Sequence, residues 1–153
     1  MGVGEVEPGT RDQGPGTRNQ KQEMRMEAKI RDYRDLTVWQ RAMELVVECY
    51  SAAQAFPRAE VYGLTSQLRR AAVSVPSNIA EGNGRASLGD YLRHLSIANG
   101  SLMELETHIR VARRLGYLSE AQESQILGVS RQVGRLLGAL IGRLRSRRRV
   151  SAG

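Results

Sequence analysis

Tyr62-GLTSQLRRAAVSVPSNIAE-Gly82 is the stretch that decides the fold. It opens on a turn, runs as an amphipathic helix from Gly63 or Leu64, carries Pro76 inside that helix and stops at glycine. Leu64, Leu68, Ala71 or Ala72, Val75 and Ile79 recur at helical spacing and predict one buried stripe. At about 100° per residue, Val73, Pro76 and Ala80 form a second apolar strip beside the first. A helix in a monomeric bundle needs one stripe only, so the second predicts contact with another subunit. Pro76 lacks a backbone N–H and is expected to kink the helix. Gly82 and Gly84 are expected to supply the C-cap and turn.

Outward from this stretch, the same periodicity gives three more helices. Upstream, Leu36 to Ala55 carries Trp39, Ala42, Met43, Val46, Cys49, Tyr50 and Ala53 as its expected core stripe, with Asp35 as N-cap and Phe56-Pro57 as the stop. Downstream, Ser87 to Leu115 is the longest predicted helix. Leu88, Leu95, Leu102 and Ile109 are seven apart, as are Tyr91, Ala98, Leu105 and Ala112. Four sustained heptads imply packing at small crossing angles. Ser87-Leu-Gly-Asp90 resembles a capping box, and Gly116 is the expected cap at the other end. The last helix starts at Ser119, where Ser-Glu-Ala-Gln122 forms a capping box. It continues through Ile126, Val129, Val133, Leu136, Leu137, Leu140 and Leu144. Gly134, Gly138 and Gly142 share one flank of it. Each glycine costs about 0.8–1 kcal/mol relative to alanine inside a helix, and close approach by another helix would compensate. Val73, Pro76, Ala80, Gly134, Gly138 and Gly142 are therefore the expected oligomer interface. The fold class is all-α: an antiparallel up-down four-helix bundle over residues 33–145. A disordered polar tail is expected over 1–32, where glycine and proline repeat and apolar residues are scarce, and a basic tail over 146–153.

Composition bounds the function. The 153 residues make one domain at most. The single cysteine, Cys49, excludes an internal disulfide and is expected to be a small buried hydrophobe. No stretch has the length or apolarity of a membrane span, and the N-terminus lacks a secretory pattern. A soluble, cytoplasmic protein with no membrane partner is expected. The net charge is +7, and residues 1–35 contribute none of it, since their basic and acidic groups balance. Arg110 to Arg149 holds ten arginines against only Glu120 and Glu123. Arginine donates in a planar fork suited to phosphate, so Arg110, Arg113, Arg114, Arg131, Arg135, Arg143, Arg145, Arg147, Arg148 and Arg149 are the expected nucleic-acid-binding residues. Aromatics for stacking bases are few, which predicts little sequence preference.

Catalytic motifs are wanting. EGNGR after the second helix is not a phosphate-cradling loop, which needs a preceding strand and a Lys-Ser/Thr after the second glycine. His94 and His108 are expected on an outward-leaning face of the third helix, with Glu104 beside His108 as a surface contact. A di-iron bundle would need paired Glu-x-x-His motifs. No catalytic residue, metal ligand set or cofactor is expected.

DLTVWQRAMELV, the Tyr62–Gly82 stretch and IANGSLMELETHIRVARRLGYL together resemble the four-helix bundle family named for the 23S rRNA intervening-sequence protein, over roughly Tyr33 to Leu144. The resemblance implies the bundle fold, a homopentameric ring and no known catalytic residue. It gives Tyr62, Gly63 and Leu64 the start of the second helix, and Pro76, Ser77, Asn78 and Glu81 packing or capping roles. It also implies kinship with the accessory proteins of diversity-generating retroelements, basic pentamers that bind a reverse transcriptase and nucleic acid. A protein-interaction scaffold, such as an accessory subunit of a reverse transcriptase, is thus the alternative to direct nucleic-acid binding. The first thirty residues and the arginine-rich end depart from the family pattern.

Overall fold

The computed structural model describes residues 17–22 and 31–153. The two parts fall into separate compact units. In the first, residues 18–22 form a short helical turn. Thr17 opens it: its hydroxyl accepts from the Gln20 amide at 3.4 Å, and the Gln20 side chain accepts from the Thr17 amide at 3.0 Å. The rest of the expected tail lies outside the described residues, apart from residues 31 and 32.

The second unit is the bundle. Helices α1 (Thr37–Ala53), α2 (Leu64–Asn83), α3 (Leu88–Arg114) and α4 (Glu120–Ser151) each pack on their neighbours in sequence, and α1 closes on α4. Cross-helix pairs fix the antiparallel sense. Ser74 of α2 meets Ser101 of α3, four residues on Asn78 meets His94, and Glu106 of α3 meets Ser130 of α4. Leu45, Leu68, Val75, Ile79, Leu102 and Leu137 stand at the fully buried centre.

The α1 stripe is turned from the expected one. Val38, Ala42, Leu45, Cys49, Ala52 and Ala53 are buried, whereas Met43 and Tyr50 are each 40% exposed and Trp39 and Val46 pack only partly. Two adjacent stripes of α1 are apolar, and the core takes the one centred on Leu45. Asp35 does not cap α1. It belongs to a 3-10 turn, Tyr33–Asp35, where it completes a capping box with Asp32. Leu36 is the N-cap, without a side-chain bond. The helix also ends two residues before the expected Ala55.

Helix α2 starts at Leu64, and the cap comes from upstream. The Glu60 carboxylate accepts from the Leu64 amide at 2.9 Å and from the Tyr117 hydroxyl at 3.2 Å, placing negative charge at the positive end of the helix. Pro76 is accommodated inside α2 and is buried within the single chain. Gly82 does not end the helix, which runs on to Asn83 with Gly84 as C-cap. Gly82 is instead a point of close approach. A Cβ there would stand 2.8 Å from His94 Cβ and 2.9 Å from Tyr91 Cδ2, so α2 can lie this near to α3 only without a side chain.

The α3 heptads are in place: Leu95, Leu102 and Ile109, with Ala98, Leu105 and Ala112, are all completely buried. The Ser87 hydroxyl accepts from the Asp90 amide at 3.1 Å, but Asp90 returns no bond, so only half of the expected box forms. At the other end Gly116 takes φ +78°. The Tyr117 amide reaches the Ala112 carbonyl and the Gly116 amide reaches Arg113, which is a Schellman cap. The Ser119–Gln122 box that opens α4 is complete. Helix α4 does not fray after Leu144 but continues to Ser151, since arginine is a good helix former and no glycine or proline interrupts residues 143–151.

Two glycine substitutions should separate in sign. Gly82→Ala is expected to lower the unfolding free energy by about 1–3 kcal/mol through overpacking. Gly138→Ala, where a Cβ meets nothing within 4 Å, is expected to raise it by up to about 1 kcal/mol through helix propensity. Urea unfolding of both variants reads the difference, and equal signs would refute this account of Gly82.

Candidate nucleic-acid interface

Helix α4 places a row of arginines on one side. Arg131, Arg135, Gly138, Gly142, Arg145 and Arg149 recur at steps of four, three, four, three and four, so they share one side of the helix. All six are exposed. From Arg131 to Arg149 the row runs roughly 27 Å at 1.5 Å per residue. No Asp or Glu occurs in α4 after Glu123. At its middle the two glycines leave bare backbone, and a Cβ at either would meet no atom within 4 Å.

The ten expected arginines do not make one patch. Because Glu106 bonds Ser130 across antiparallel helices, Arg110, Arg113 and Arg114 lie level with the first turns of α4. Arg143 to Arg149 lie at the opposite end of the bundle. Arg110 and Arg114 are exposed, and Arg113 is half-buried. Helix phase puts Arg143 and Arg147 on the flank of α4 away from the row, and Arg143 acts electrostatically on Tyr91. Beyond Leu144, the last core residue, every side chain is exposed, so Arg145, Arg147, Arg148 and Arg149 encircle a stretch of helix that carries no packing load.

The expected oligomer positions also divide. Val73 is 40% exposed, Ala80 is half-buried, and Pro76 is covered by the chain itself. Gly134 lies over Leu102, whose Cδ2 would contact a Cβ at 3.5 Å. Gly138 and Gly142 face no other helix of the chain and sit within the arginine row.

Residues that the sequence reading passed over gather between α1 and α2. The Arg69 guanidinium lies 5.1 Å from the centre of the Tyr50 ring, and its buried Nε has no hydrogen-bond partner. Arg69, Val73, Pro76 and Ala80 are spaced four, three and four, so Arg69 extends the second apolar strip by one turn. That spacing was the signal available.

The histidines separate. His94 does not lean outward: it is 5% exposed, with Nδ1 3.1 Å from Asn78 Oδ1. The Asn78 Nδ2 donates to the Ser74 carbonyl and hydroxyl, so Oδ1 is the accepting end and His94 Nδ1 carries the proton. His94 Nε2 then points towards the Glu81 carboxylate at 3.9 Å without a hydrogen bond. Glu81 is already paired with Arg85. His108 contacts Glu104 at 3.3 Å on the surface of α3, as expected. Among the described residues no three His, Cys, Asp or Glu side chains are grouped to hold a metal ion, and no helix is long and apolar enough to cross a membrane.

These features can now be set beside known proteins. The model of the 23S rRNA-intervening sequence protein family matches residues 34–139. The chain belongs to this family. Its fold is similar to that of a protein of unknown function from the S23 ribosomal protein family of Bacteroides thetaiotaomicron, solved by crystallography. The TM-score is 0.64 at 23% identity, over 69% of this chain and 98% of that one. No curated protein matches the chain. The family match stops at 139, so Arg143 to Arg149 belong to this chain beyond the shared part.

Cys49 is completely buried on α1. Burial, and after it the charge of Glu48, push its thiol up to about 12. At neutral pH the thiolate, the reactive form, is absent. Native protein is expected to leave a thiol-specific disulfide reagent unconsumed at pH 8 and to consume one equivalent in denaturant. Rapid reaction in the native state would contradict this placement.

Proposed function

We propose that this family member is a non-enzymatic, cytoplasmic, oligomeric bundle that binds nucleic acid through the arginine row of α4, with little preference for sequence. One observation carries the reading: the side of α4 that bears Arg131, Arg135, Gly138, Gly142, Arg145 and Arg149 is exposed throughout, and the helix holds no acidic residue along those roughly 27 Å. Guanidinium forks grip phosphate oxygens in pairs. The bare backbone at Gly138 and Gly142 lets a sugar-phosphate strand approach the helix between the two arginine pairs. Gly138 and Gly142 therefore serve this face better than a subunit contact, since two copies of the row would repel one another. The row offers no aromatic for stacking and no carboxylate or amide for reading base edges, so contacts fall on the backbone, which positions without specifying.

Self-association belongs to the same reading. The apolar strip that Val73 and Ala80 leave open on α2, with Tyr50 of α1 beside Val73, supports a homo-oligomer, in keeping with the pentameric ring that the family resemblance implies. A ring would carry several rows on one particle and raise avidity without new contacts. A scaffold role, such as accessory subunit of a reverse transcriptase, is the second reading. It draws on the same apolar face, which could equally receive another protein.

The test is a salt-titrated binding assay with a generic duplex and a generic single strand. Affinity is expected to fall linearly on a log–log scale, with a slope near −0.9 for each phosphate neutralised on duplex DNA. Arg131→Glu/Arg135→Glu is expected to weaken binding by roughly tenfold or more at low salt. Absence of binding at low ionic strength, or an unchanged affinity in the double variant, refutes the row as the interface.

A further inference from the structure

Two groups of exposed large apolar side chains lie on separate faces of the bundle. On the first, Met43, Val47 and Tyr50 lie on one side of α1 and Val73 on α2, and all four are between 40% and 67% exposed. Tyr50 and Val73 border an open groove of about 500 Å³, also lined by Val61, Ser66, Arg69, Arg70 and Ser74. The polar chemistry of this groove is unbalanced. The Nε of Arg69 is buried without a partner, and its guanidinium is held in place by the Tyr50 ring. Arg70 reaches only the Ser66 hydroxyl, at 3.4 Å. No carboxylate lines the groove, and among the described residues no ion pair involves either arginine. A buried donor without an acceptor is costly to keep, and two arginines with no carboxylate give the groove a positive lining, so it is complementary to an apolar surface carrying a carboxylate.

The second face answers that description. On the outer side of α3, Ile97, Gly100, Glu104 and Val111 recur at steps of three, four and seven. Ile97 is 41% exposed and Val111 39%. A Cβ at Gly100 would meet nothing within 4 Å. Between the apolar positions stands the Glu104 carboxylate, 59% exposed, which among the described residues pairs with His108 alone. Ile97 to Val111 spans about 21 Å, comparable with the roughly 16 Å from Arg69 to Ala80 along α2.

We propose that the α1–α2 groove of one copy receives the outer side of α3 from a second copy, with Glu104 of the partner subunit seated against Arg69. The inference rests on the self-association reading above and assigns its two faces. They are different surfaces, so the contact is heterologous and propagates head to tail. Such contacts close into a ring when the rotation between copies permits. The partner's carboxylate supplies the acceptor that Arg69 lacks within its own chain, and Ile97 and Val111 cover the apolar border of the groove.

Charge exchange tests the pairing. Mass by light scattering, measured over a concentration series, gives the concentration of half-dissociation for wild type, Arg69→Glu, Glu104→Arg and the double variant. Each single change is expected to raise that concentration by roughly tenfold or more, and the double variant to recover most of the loss, as coupled partners do. Circular dichroism melts confirm that the variants fold. Ile97→Glu, at a position exposed in the single chain, is a second variant expected to dissociate the assembly without Arg69 being altered. An assembled wild type whose mass is indifferent to Glu104→Arg and Ile97→Glu, or a double variant no better than the singles, overturns the assignment of faces. A wild type that stays monomeric at micromolar concentration overturns self-association itself. Neither result bears on the arginine row, whose binding assay is independent.

Discussion

Helices α2 and α3 are locked together by a row of buried polar contacts closed at one end by a glycine. Ser74 bonds Ser101 at 2.8 Å, Asn78 bonds His94 at 3.1 Å, and one turn further on Gly82 has no side chain to hold the helices apart where Tyr91 and His94 press against it. Apolar packing is tolerant of sliding, but these pairs are not. A shift of one turn, about 5.4 Å, would break both cross-helix bonds and leave the Ser101 hydroxyl and the His94 imidazole, both buried, without these partners. Register and rotation of α2 are therefore set by its α3 side. The rest follows from that rotation: Val75 and Ile79 turn to the centre, and Arg69, Val73 and Ala80 emerge on the far side beside α1.

The distribution of acids has a similar consequence. Glu60 caps α2 and holds Tyr117, Asp35 closes the turn before α1, Glu81 pairs with Arg85, and Glu106 bonds Ser130. Carboxylates are thus used where they terminate helices or join them. Tyr117 shows the effect, its phenol pushed up by desolvation and then by the Glu60 carboxylate that accepts its proton. Helix α4 itself carries no acid after Glu123, so the side that holds Arg131, Arg135, Arg145 and Arg149 is positive although several acids do local structural work. Exposed ion pairs contribute little to stability, which makes the pattern more relevant to ligand choice than to folding.

Much of this was legible in the sequence, and the failures have a common cause. The α3 heptads, the Ser119 box and the Gly116 cap are local signals, and each appears where the residues put it. The α1 stripe is different. Trp39, Met43, Val46 and Tyr50 follow helical spacing as well as Val38, Ala42, Leu45 and Cys49 do, so periodicity alone cannot choose between adjacent sides of one helix. The choice is tertiary: α2 and α4 cover the Leu45 side. His94 was misplaced for the same reason, since its burial depends on Asn78, sixteen residues away on another helix. Gly82 looks like a cap because glycine after an apolar helix usually is one; its close contact with Tyr91 and His94 exists only once α3 is folded back.

That ambiguity in α1 is itself informative about assembly. A helix with one apolar side is satisfied by a bundle of four, whereas α1 and α2 each carry two, and the second is covered only in part by the chain itself: Pro76 is buried, while Met43, Tyr50 and Val73 stay exposed. Tyr50 and Val73 of the remainder border a groove that holds the Arg69 guanidinium, and the arginine row lies on α4, the helix diagonal to α2. A surface needed for self-association and a surface needed for a polyanion would interfere if they coincided, because the phosphates would compete for Arg69. On the proposed assignment one lies between α1 and α2 and the other on α4, so a copy would bind its neighbours while its row remained open. Assembly would then bring several weak rows to bear on one strand, so that affinity depends on the number of copies more than on any single arginine.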